Sequence, residues 1–323
     1  MIITVTLNPS LDRTVEVDGL DRGHVLRARA THLHPGGKGV NVTRALLANG
    51  VLSRAVLPVA GAEGDQLVEL LAAEGVETVL VPVRGRTRSN VTIAEADGTV
   101  TKINEPGAAL TADELELVVA RALEQAHAGG WVVLCGSLPP GVPEDQYATM
   151  TRRFAAAGIR VAVDTSGPAL AHAVDAGPDL IKPNAEELAA AVGRPLGSLA
   201  EVVAAAQELR VLGARRVLVS LGAAGAVLVG EDGVSAGESF ALNPRSTVGA
   251  GDAFLAGFLA AEHDHGAGRG PAALTQALAW GAAAVQLPGS QMPGPHDIDL
   301  GAAHLLPAEH LDERLAEPLV GTG

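Results

Sequence analysis

From residue 111 onward the sequence repeats one pattern: a short apolar run, a loop rich in glycine or proline, then a longer amphipathic run. The apolar runs at 131–135, 159–164, 180–181 and 217–220 are short and rich in Val, Ile and Leu. Such runs read as strands buried on both faces. The amphipathic runs over 111–127, 144–157, 168–174 and 199–212, with another opening after Lys182, read as the crossover helices that parallel strands require. Together they predict an α/β fold with a mostly parallel central sheet covered on both faces. Two helix starts carry capping boxes, Thr111 with Glu114 and Ser198 with Glu201. After the second, Leu199, Val202, Val203, Ala206, Leu209 and Leu212 fall on one apolar stripe.

In the first hundred residues strands are expected at 2–7, 14–17, 52–59, 76–83, 90–95 and 100–104, with Asp97-Gly98 turning a hairpin. Helices are expected from 36 to about 47 and over 65–74, the second preceded by a turn at 61–64. Residues 19–35 are polar, Arg-rich and without helical period. A strand is also expected at 226–229, a helix after residue 252 and another over 271–287, while the last thirty or so residues read as peripheral. No repeat or low-complexity linker divides the chain, so one domain is expected over 1–323. In such folds ligands bind beyond the carboxyl ends of the strands. The loops at 8–12, 36–41, 136–141, 164–167, 182–187 and 221–225 mostly follow strands and are expected to converge there.

Composition narrows the partners. A net charge of −14 excludes the broad basic surface that nucleic acid needs, yet leaves room for a small anionic substrate. Cys135 is the one cysteine, so no internal disulfide can form. With no basic leader and no apolar run near 18 residues, a soluble, cytoplasmic protein away from membranes is expected. Aromatic residues are only 2%, so the core must be packed with small aliphatic side chains. Of 23 basic residues only Lys38, Lys102 and Lys182 are lysines. All three fall inside loops or strands that carry a motif.

Ser246-Thr247-Val248-Gly249-Ala250-Gly251-Asp252 precedes an apolar run. Bare N–H groups at the mouth of a helix attract an anion, and a carboxylate there can act as a general base. A glycine-rich turn with Asp252 capping a helix is the plainer reading of the same residues. Gly36-Gly37-Lys38-Gly39-Val40-Asn41 likewise opens a helix, its glycines allowing close approach to a ligand. Arg84, Arg86 and Arg88 share one face of an extended run, and Lys102 lies across the hairpin on the side of Arg88, a pair suited to a phosphate. A solvated edge strand accounts equally for most of that row. The spacing fits neither a Walker P-loop nor a dinucleotide fingerprint. A serine-hydrolase elbow and a zinc cluster are also missing, which counts against a nucleotide-dependent oxidoreductase and a hydrolase.

Taken together, Gly36 to Asn41 and Ser246 to Asp252 resemble the paired motifs of the PfkB (ribokinase-like) carbohydrate kinases, over roughly residues 1–300. Thr6-Leu7-Asn8-Pro9-Ser10-Leu11-Asp12, Thr87-Arg88-Ser89-Asn90, Ile103-Asn104-Glu105-Pro106-Gly107, Gly136-Ser137-Leu138-Pro139-Pro140-Gly141 and Lys182-Pro183-Asn184-x-x-Glu187 are similar to its 1-phosphofructokinase/tagatose-6-phosphate kinase branch. Cys135 stands where that branch commonly has serine. The resemblance implies a ribokinase-like three-layer fold with a small β-sheet lid built from segments about 12–35 and 84–104, and a homodimer formed through the lid. It implies ATP and Mg²⁺ as cofactors, a phosphosugar as substrate, and fructose 1-phosphate as the leading candidate. Tagatose-6-phosphate kinase, 6-phosphofructokinase and a non-catalytic sugar-phosphate sensor remain the alternatives.

The implied roles follow the motifs. Asp252 would be the base, with Gly249, Ala250 and Gly251 donating to the transferring phosphoryl group. Asp12, Gly37 and Asn41 would hold sugar hydroxyls. Arg88 and Lys102, helped by Lys38, Asn90 and Ser137, would hold the phosphate already on the substrate. Lys182, Ser220, Gly222, Gly225 and Thr247 would border the nucleotide, and Asn184 and Glu187 would organise Mg²⁺ through water.

Overall fold

The computed structural model describes residues 1–265 and 270–307. The chain begins with β1 (Ile2–Thr6), runs through β2 (Ser10–Val17) and β3 (Ala30–Gly36), and returns by α1 (Lys38–Ala48) to β4 (Ser53–Val59). Helix α2 (Gly61–Ala73) and β5 (Thr78–Pro82) precede the hairpin of β6 (Arg88–Glu95) and β7 (Val100–Ile103). Alternation then sets in: α3 (Ala112–Gln125), β8 (Trp131–Cys135), α4 (Gln146–Ala156), β9 (Arg160–Asp164), α5 (Pro168–Asp175) and β10 (Leu180–Ile181). After α6 (Ala185–Val192), α7 (Leu199–Leu212) and β11 (Val217–Ser220) come β12 (Ala226–Gly230) and β13 (Gly233–Ser239). Helices α8 (Ala250–His265) and α9 (Gly270–Val285) follow, and β14 (Ala303–Leu305) is the last strand described.

Two sheets result. The large one has the order β14-β13-β12-β11-β10-β9-β8-β1-β4-β5. Its strands from β5 to β11 are all parallel, and β12, β13 and β14 add antiparallel neighbours at one edge. The small sheet has the order β3-β2-β6-β7. Successive residues of a strand point to opposite faces, and here each face of the large sheet carries its own core. Ile3, Val5, Val132, Leu134, Val161 and Val163 pack beneath α3, α4, α5 and α7. Ile2, Trp131, Val133, Cys135, Ala162 and Leu218 face α1, α8 and α9. This is the expected three-layer arrangement. Small residues make it tight: a Cβ on Gly257 of α8 would lie 2.9 Å from Trp280 of α9. Among the described residues, no helix is long and apolar enough to cross a membrane.

Several expectations fail at the edges. Residues 30–36, within the stretch read as featureless, form β3; its polar side chains and Pro35 suit an edge strand, which has no alternation to show. Strand β13 is hidden by its glycines, and Gly237 is there because a Cβ would lie 2.7 Å from Leu278 of α9. Helix α2 begins at Gly61, where a turn was expected. Strand β14 belongs to the tail read as peripheral, yet it pairs with β13 and buries Ala303. The rest of that tail, from 308 on, lies outside the described residues. Leu212 leaves the α7 stripe and is exposed, because the helix ends at Gly213.

Both expected capping boxes form. Thr111 accepts from the Glu114 N–H while Glu114 accepts from the Thr111 N–H, and Ser198 and Glu201 repeat the exchange. Thr111→Ala should lower the unfolding free energy by about 1 kcal/mol in a urea titration. A variant as stable as the parent would show that the α3 cap contributes nothing.

Candidate active site

The ends of β8, β9, β10 and β11 and the first turns of α1 and α8 meet at the carboxyl edge of the large sheet. Strand β9 ends on Asp164, which is fully buried between two lysines. Lys38 Nζ donates to Asp164 Oδ1 at 2.8 Å, and Lys182 Nζ lies 3.3 Å from Oδ2. Lys38 also reaches Glu187 Oε1 at 3.5 Å. A Cβ built on Gly251 would stand 3.6 Å from Lys182 Nζ, so this ammonium adjoins the glycine turn at the mouth of α8.

Asp252, in the first turn of α8, is buried and accepts from Asn41 Nδ2 at 2.8 Å. The amide of Asn41 cannot turn over, because Arg44 Nη1 donates to its oxygen at 3.2 Å. Arg44 is itself held by Glu74 at 2.6 and 2.9 Å and by the Ser290 carbonyl at 3.0 Å. Burial, and next the charge of Asp164, push the Asp252 carboxyl up to about 6, against the opposing pull of Asn41, Lys38 and Lys182. Burial also works against the Lys38 ammonium, but Asp164 and Glu187 outweigh it and hold Lys38 above the ordinary lysine range. Burial lifts the Asp164 carboxyl too, yet Lys182 and Lys38 more than reverse this and keep it ionised. A carboxylate poised near neutrality beside two fixed ammonium groups can take a proton while the lysines meet an anion.

The glycine turn is made by geometry rather than by propensity. Gly249 has φ +80, and a Cβ there would lie 2.7 Å from Met292 Cε. Of the three N–H groups expected to face an anion, that of Ala250 is turned onto the Thr247 carbonyl at 3.3 Å, a long bond.

The small sheet supplies the opposite wall. Register sets His34, Asp12 and Asn90 abreast across β3, β2 and β6. Asp12 Oδ1 accepts from Ser10 Oγ at 2.7 Å and from Asn90 Nδ2 at 2.9 Å. Gly36 makes room for it, since a Cβ there would overlap the Asp12 carboxylate. These residues line a cavity of about 830 Å³ with Lys102, Thr247 and Ser290. Arg88 and Lys102 do share a face, but Lys102 pairs with Thr92, four residues along β6 from Arg88. That is about 13 Å of strand. The two cations therefore bracket the Asp12–Asn90 row rather than sit side by side. Arg88 donates to the Glu105 carbonyl at 3.3 Å, and its Nε is buried without a hydrogen-bond partner. Arg84 is exposed, and Arg86 is spent on Glu63 and Glu105, both at 3.0 Å. Ser137 accepts from Asn8 Nδ2 at 3.3 Å near the Arg88 end.

A second corner lies beyond Lys182. Asn184 and Ser220 bridge the ends of β10 and β11, and the Ser220 N–H donates to the Pro183 carbonyl at 3.2 Å. Gly222 and Gly225, with φ +60 and +95, close the loop after β11, and a Cβ on Gly225 would overlap the Gly237 carbonyl. Asn184 and Glu187 form a third capping box at the start of α6. The cap uses Asn184 Oδ1 and Glu187 Oε2, leaving Glu187 Oε1 in contact with Lys38 alone. No cluster of three or more metal-binding side chains occurs among the described residues. The one carboxylate oxygen outside the cap, shared with Lys38, suits Mg²⁺ held through its waters and phosphate oxygens, not an all-protein cage.

Several sequence-derived placements shift accordingly. Lys38 faces Asp164 and Glu187, away from the expected company of Lys102, and Thr247 lines the cavity of the small sheet rather than the corner with Gly222. No sequence motif gives a role to Asp164, Arg44 or Glu74, and His34, which reads in sequence as a surface histidine, lines the cavity of the small sheet. Arg44 was the most accessible of these, three residues from Asn41 and so on the same face of α1.

Known proteins are similar to this chain in sequence and in fold. The model of the family described as pfkB family carbohydrate kinase matches residues 5–297. The chain belongs to the pfkB family of carbohydrate kinases. It is 43% identical over 268 residues to a 1-phosphofructokinase of Rhodobacter capsulatus, covering 80% of this chain and 82% of that one. It is 39% identical over 257 residues to the ATP-dependent 6-phosphofructokinase isozyme 2 of Escherichia coli, covering 79% and 83%. The solved structure of Escherichia coli phosphofructokinase-2 in complex with potassium superposes with a TM-score of 0.87 at 35% identity, covering 92% and 96%. A pfkB-family kinase transfers a phosphoryl group from ATP to an alcohol, so the chain is a phosphotransferase.

The raised Asp252 carboxyl has a thermodynamic consequence. Between its ordinary 3.8 and about 6 the folded protein keeps a proton that the unfolded chain has lost. This group's contribution to stability therefore falls as pH rises through that window. Asp252→Asn should raise the thermal midpoint at pH 8, and by less at pH 5. Equal midpoints for variant and parent at pH 8 would mean that ionising Asp252 costs the fold nothing.

Proposed function

We propose that this kinase transfers the γ-phosphoryl group of ATP to the 6-hydroxyl of fructose 1-phosphate, giving fructose 1,6-bisphosphate and ADP. The observation that carries the reading is Asp252, buried at the mouth of α8, just after a loop whose Ser246, Thr247 and Val248 line a cavity with Asp12, Asn90 and Lys102 of the small sheet. The choice of sugar is supported by the relatives named 1-phosphofructokinase, at 35–43% identity.

In this reading Asp12, Gly37 and Asn41 hold sugar hydroxyls. Arg88 and Lys102 stand at the two ends of the Asp12–Asn90 row, so the substrate's phosphate takes one of them, with Asn90 or Ser137 beside it. Asp252 accepts the proton of the attacking hydroxyl. The N–H groups of Gly249 and Gly251, joined by that of Ala250 once it leaves Thr247, donate to the charge on the transferring group, with Lys182 alongside. Ser220, Gly222 and Gly225 border the nucleotide. Mg²⁺, organised through water by Asn184 and Glu187, supplies positive charge to the nucleotide phosphates when bound.

The small sheet acts as a lid over the sugar, and the working enzyme is a cytoplasmic homodimer. Its outward face supports the pairing: Val15, Val91, Ile93 and Ile103 alternate with the cavity-facing residues, and Ile103 is exposed. A second copy covering this face would bury it.

A second reading, a 6-phosphofructokinase, draws on the 39% identity to the Escherichia coli isozyme. ADP release measured with fructose 1-phosphate, fructose 6-phosphate, tagatose 6-phosphate and free fructose decides between them. The highest kcat/KM is expected with fructose 1-phosphate; turnover of free fructose alone would remove the phosphosugar. Asp252→Asn should lower kcat about 10²- to 10⁴-fold while KM changes little. Near-normal turnover in that variant would exclude Asp252 as the base.

A further inference from the structure

Asp164 is a charged side chain at the centre of the site to which no motif assigns a role. It is fully buried, and every polar contact it makes at its carboxylate is to a lysine: Lys38 at 2.8 Å on Oδ1 and Lys182 at 3.3 Å on Oδ2. The two lysines leave it in different directions, Lys38 toward Glu187 at 3.5 Å and Lys182 toward Gly251. A carboxylate this deep is maintained only by paired charge. Its sequence position is equally constrained. It terminates β9, between β8 and β10, and so stands at the centre of the carboxyl edge.

We propose that Asp164 is the positioning residue of this active site, holding the Lys38 and Lys182 ammonium groups apart on its two oxygens and keeping a negative charge behind Asp252. Two lysines at the mouth of α8 would repel each other and move off if nothing lay between them. With Asp164 there, each is fixed where an incoming phosphoryl group would meet it, with no reorganisation left for the moment of transfer. The negative charge has a second effect. It opposes the ionisation of Asp252, which needs to hold a proton well enough to take one from a hydroxyl. Asp164 touches neither sugar nor nucleotide in this reading. It acts through three other side chains.

The groups that face Asp252 are few, so the electrostatics can be enumerated. Helix α1 presents Lys38, Asn41 and Arg44; the end of β8 presents the Cys135 thiol, which burial keeps protonated; the ends of β9 and β10 present Asp164 and Lys182. Helix α9, which packs along α8, contains no charged residue. Removing Asp164 takes away the negative neighbour and leaves the two lysines, so Asp252 becomes more acidic. Removing Lys38 takes away a positive charge that favours the ionised form, so Asp252 becomes less acidic. The two substitutions displace the same group in opposite directions.

The proposal rests on Asp252 being the kinase base, and the test separates the two. The pH dependence of kcat/KM for fructose 1-phosphate at saturating ATP is measured for the full chain, for Asp164→Asn, for Lys38→Met and for the double variant. The acid limb should move about one pH unit to lower pH in Asp164→Asn and to higher pH in Lys38→Met. In the double variant the two opposite shifts should offset, leaving the limb between those of the two single variants. Asp164→Asn should also lower kcat at least about tenfold at the pH optimum, since both lysines lose their anchor. A thermal midpoint changed without displacement of the limb would mean a structural role only and would overturn the proposal, as would displacement of both limbs in one direction. Should Asp164→Asn fail to fold, Lys38→Met decides alone: a limb unmoved or moved to lower pH rejects the idea. If the parent enzyme shows no acid limb, or none that Asp252→Asn abolishes, the kinase-base reading fails first.

Discussion

Two carboxylates and two ammonium groups, the buried Asp252, Asp164 and Lys182 and the half-buried Lys38, lie together at one edge of the large sheet, and the rest of the site is arranged around keeping them there. Charges withdrawn from water are tolerated only when paired and hydrogen-bonded. Asp164 is paired on both oxygens, accepting a hydrogen bond from Lys38 on Oδ1 and facing the Lys182 ammonium as an ion pair on Oδ2. Asp252 meets the condition only in part, with a neutral amide as its one close partner, and the shortfall is what leaves it near neutrality. The mixture of one carboxylate paired with two cations and one held by a neutral amide divides the labour: the first stays ionised and fixes the lysines, the second remains free to exchange a proton.

The fold delivers these four groups from four separate elements. Parallel strands bring their carboxyl ends to the same edge, so Asp164 and Lys182 arrive by following β9 and β10. Helices α1 and α8 start from that edge and point their first turns at it, bringing Lys38, Asn41 and Asp252. A helix N-terminus favours negative charge, which is why an anion and a carboxylate are both at home there. Behind them, Arg44 joins Asn41 to Glu74 and to the Ser290 carbonyl, so the aim of the Asn41 amide depends on contacts some distance from the chemistry. The small sheet adds a wall that the large sheet cannot, with Asp12 secured by Ser10 and Asn90.

The parallel core was legible because its strands are unbroken apolar runs; β8 at 131–135 falls where the sequence places it. The motif loops were legible because glycine, lysine and asparagine recur where backbone and cations approach a ligand. Three things were not. Strands β3 and β13 are held by their neighbours, not by their own residues, so local pattern is silent about them. Partner choice was also hidden: Lys38 sits in a glycine-rich motif that points to a substrate, but which carboxylate takes its ammonium depends on residues 126 and 149 positions away. Asn184 and Glu187 show the converse, a pair selected for metal chemistry that also forms an ordinary helix cap. One residue can serve both purposes because the cap uses one carboxylate oxygen and leaves the other.

The proton affinity of Asp252 is the quantity on which the chemistry turns, and it can be read directly. Protein labelled with ¹³C at its aspartate carboxyl carbons is titrated by NMR, with Asp252→Asn used to assign the resonance. A midpoint near pH 6 is expected, well above an ordinary aspartate. A midpoint near pH 4 would contradict the claim that burial and Asp164 together make this carboxylate a base.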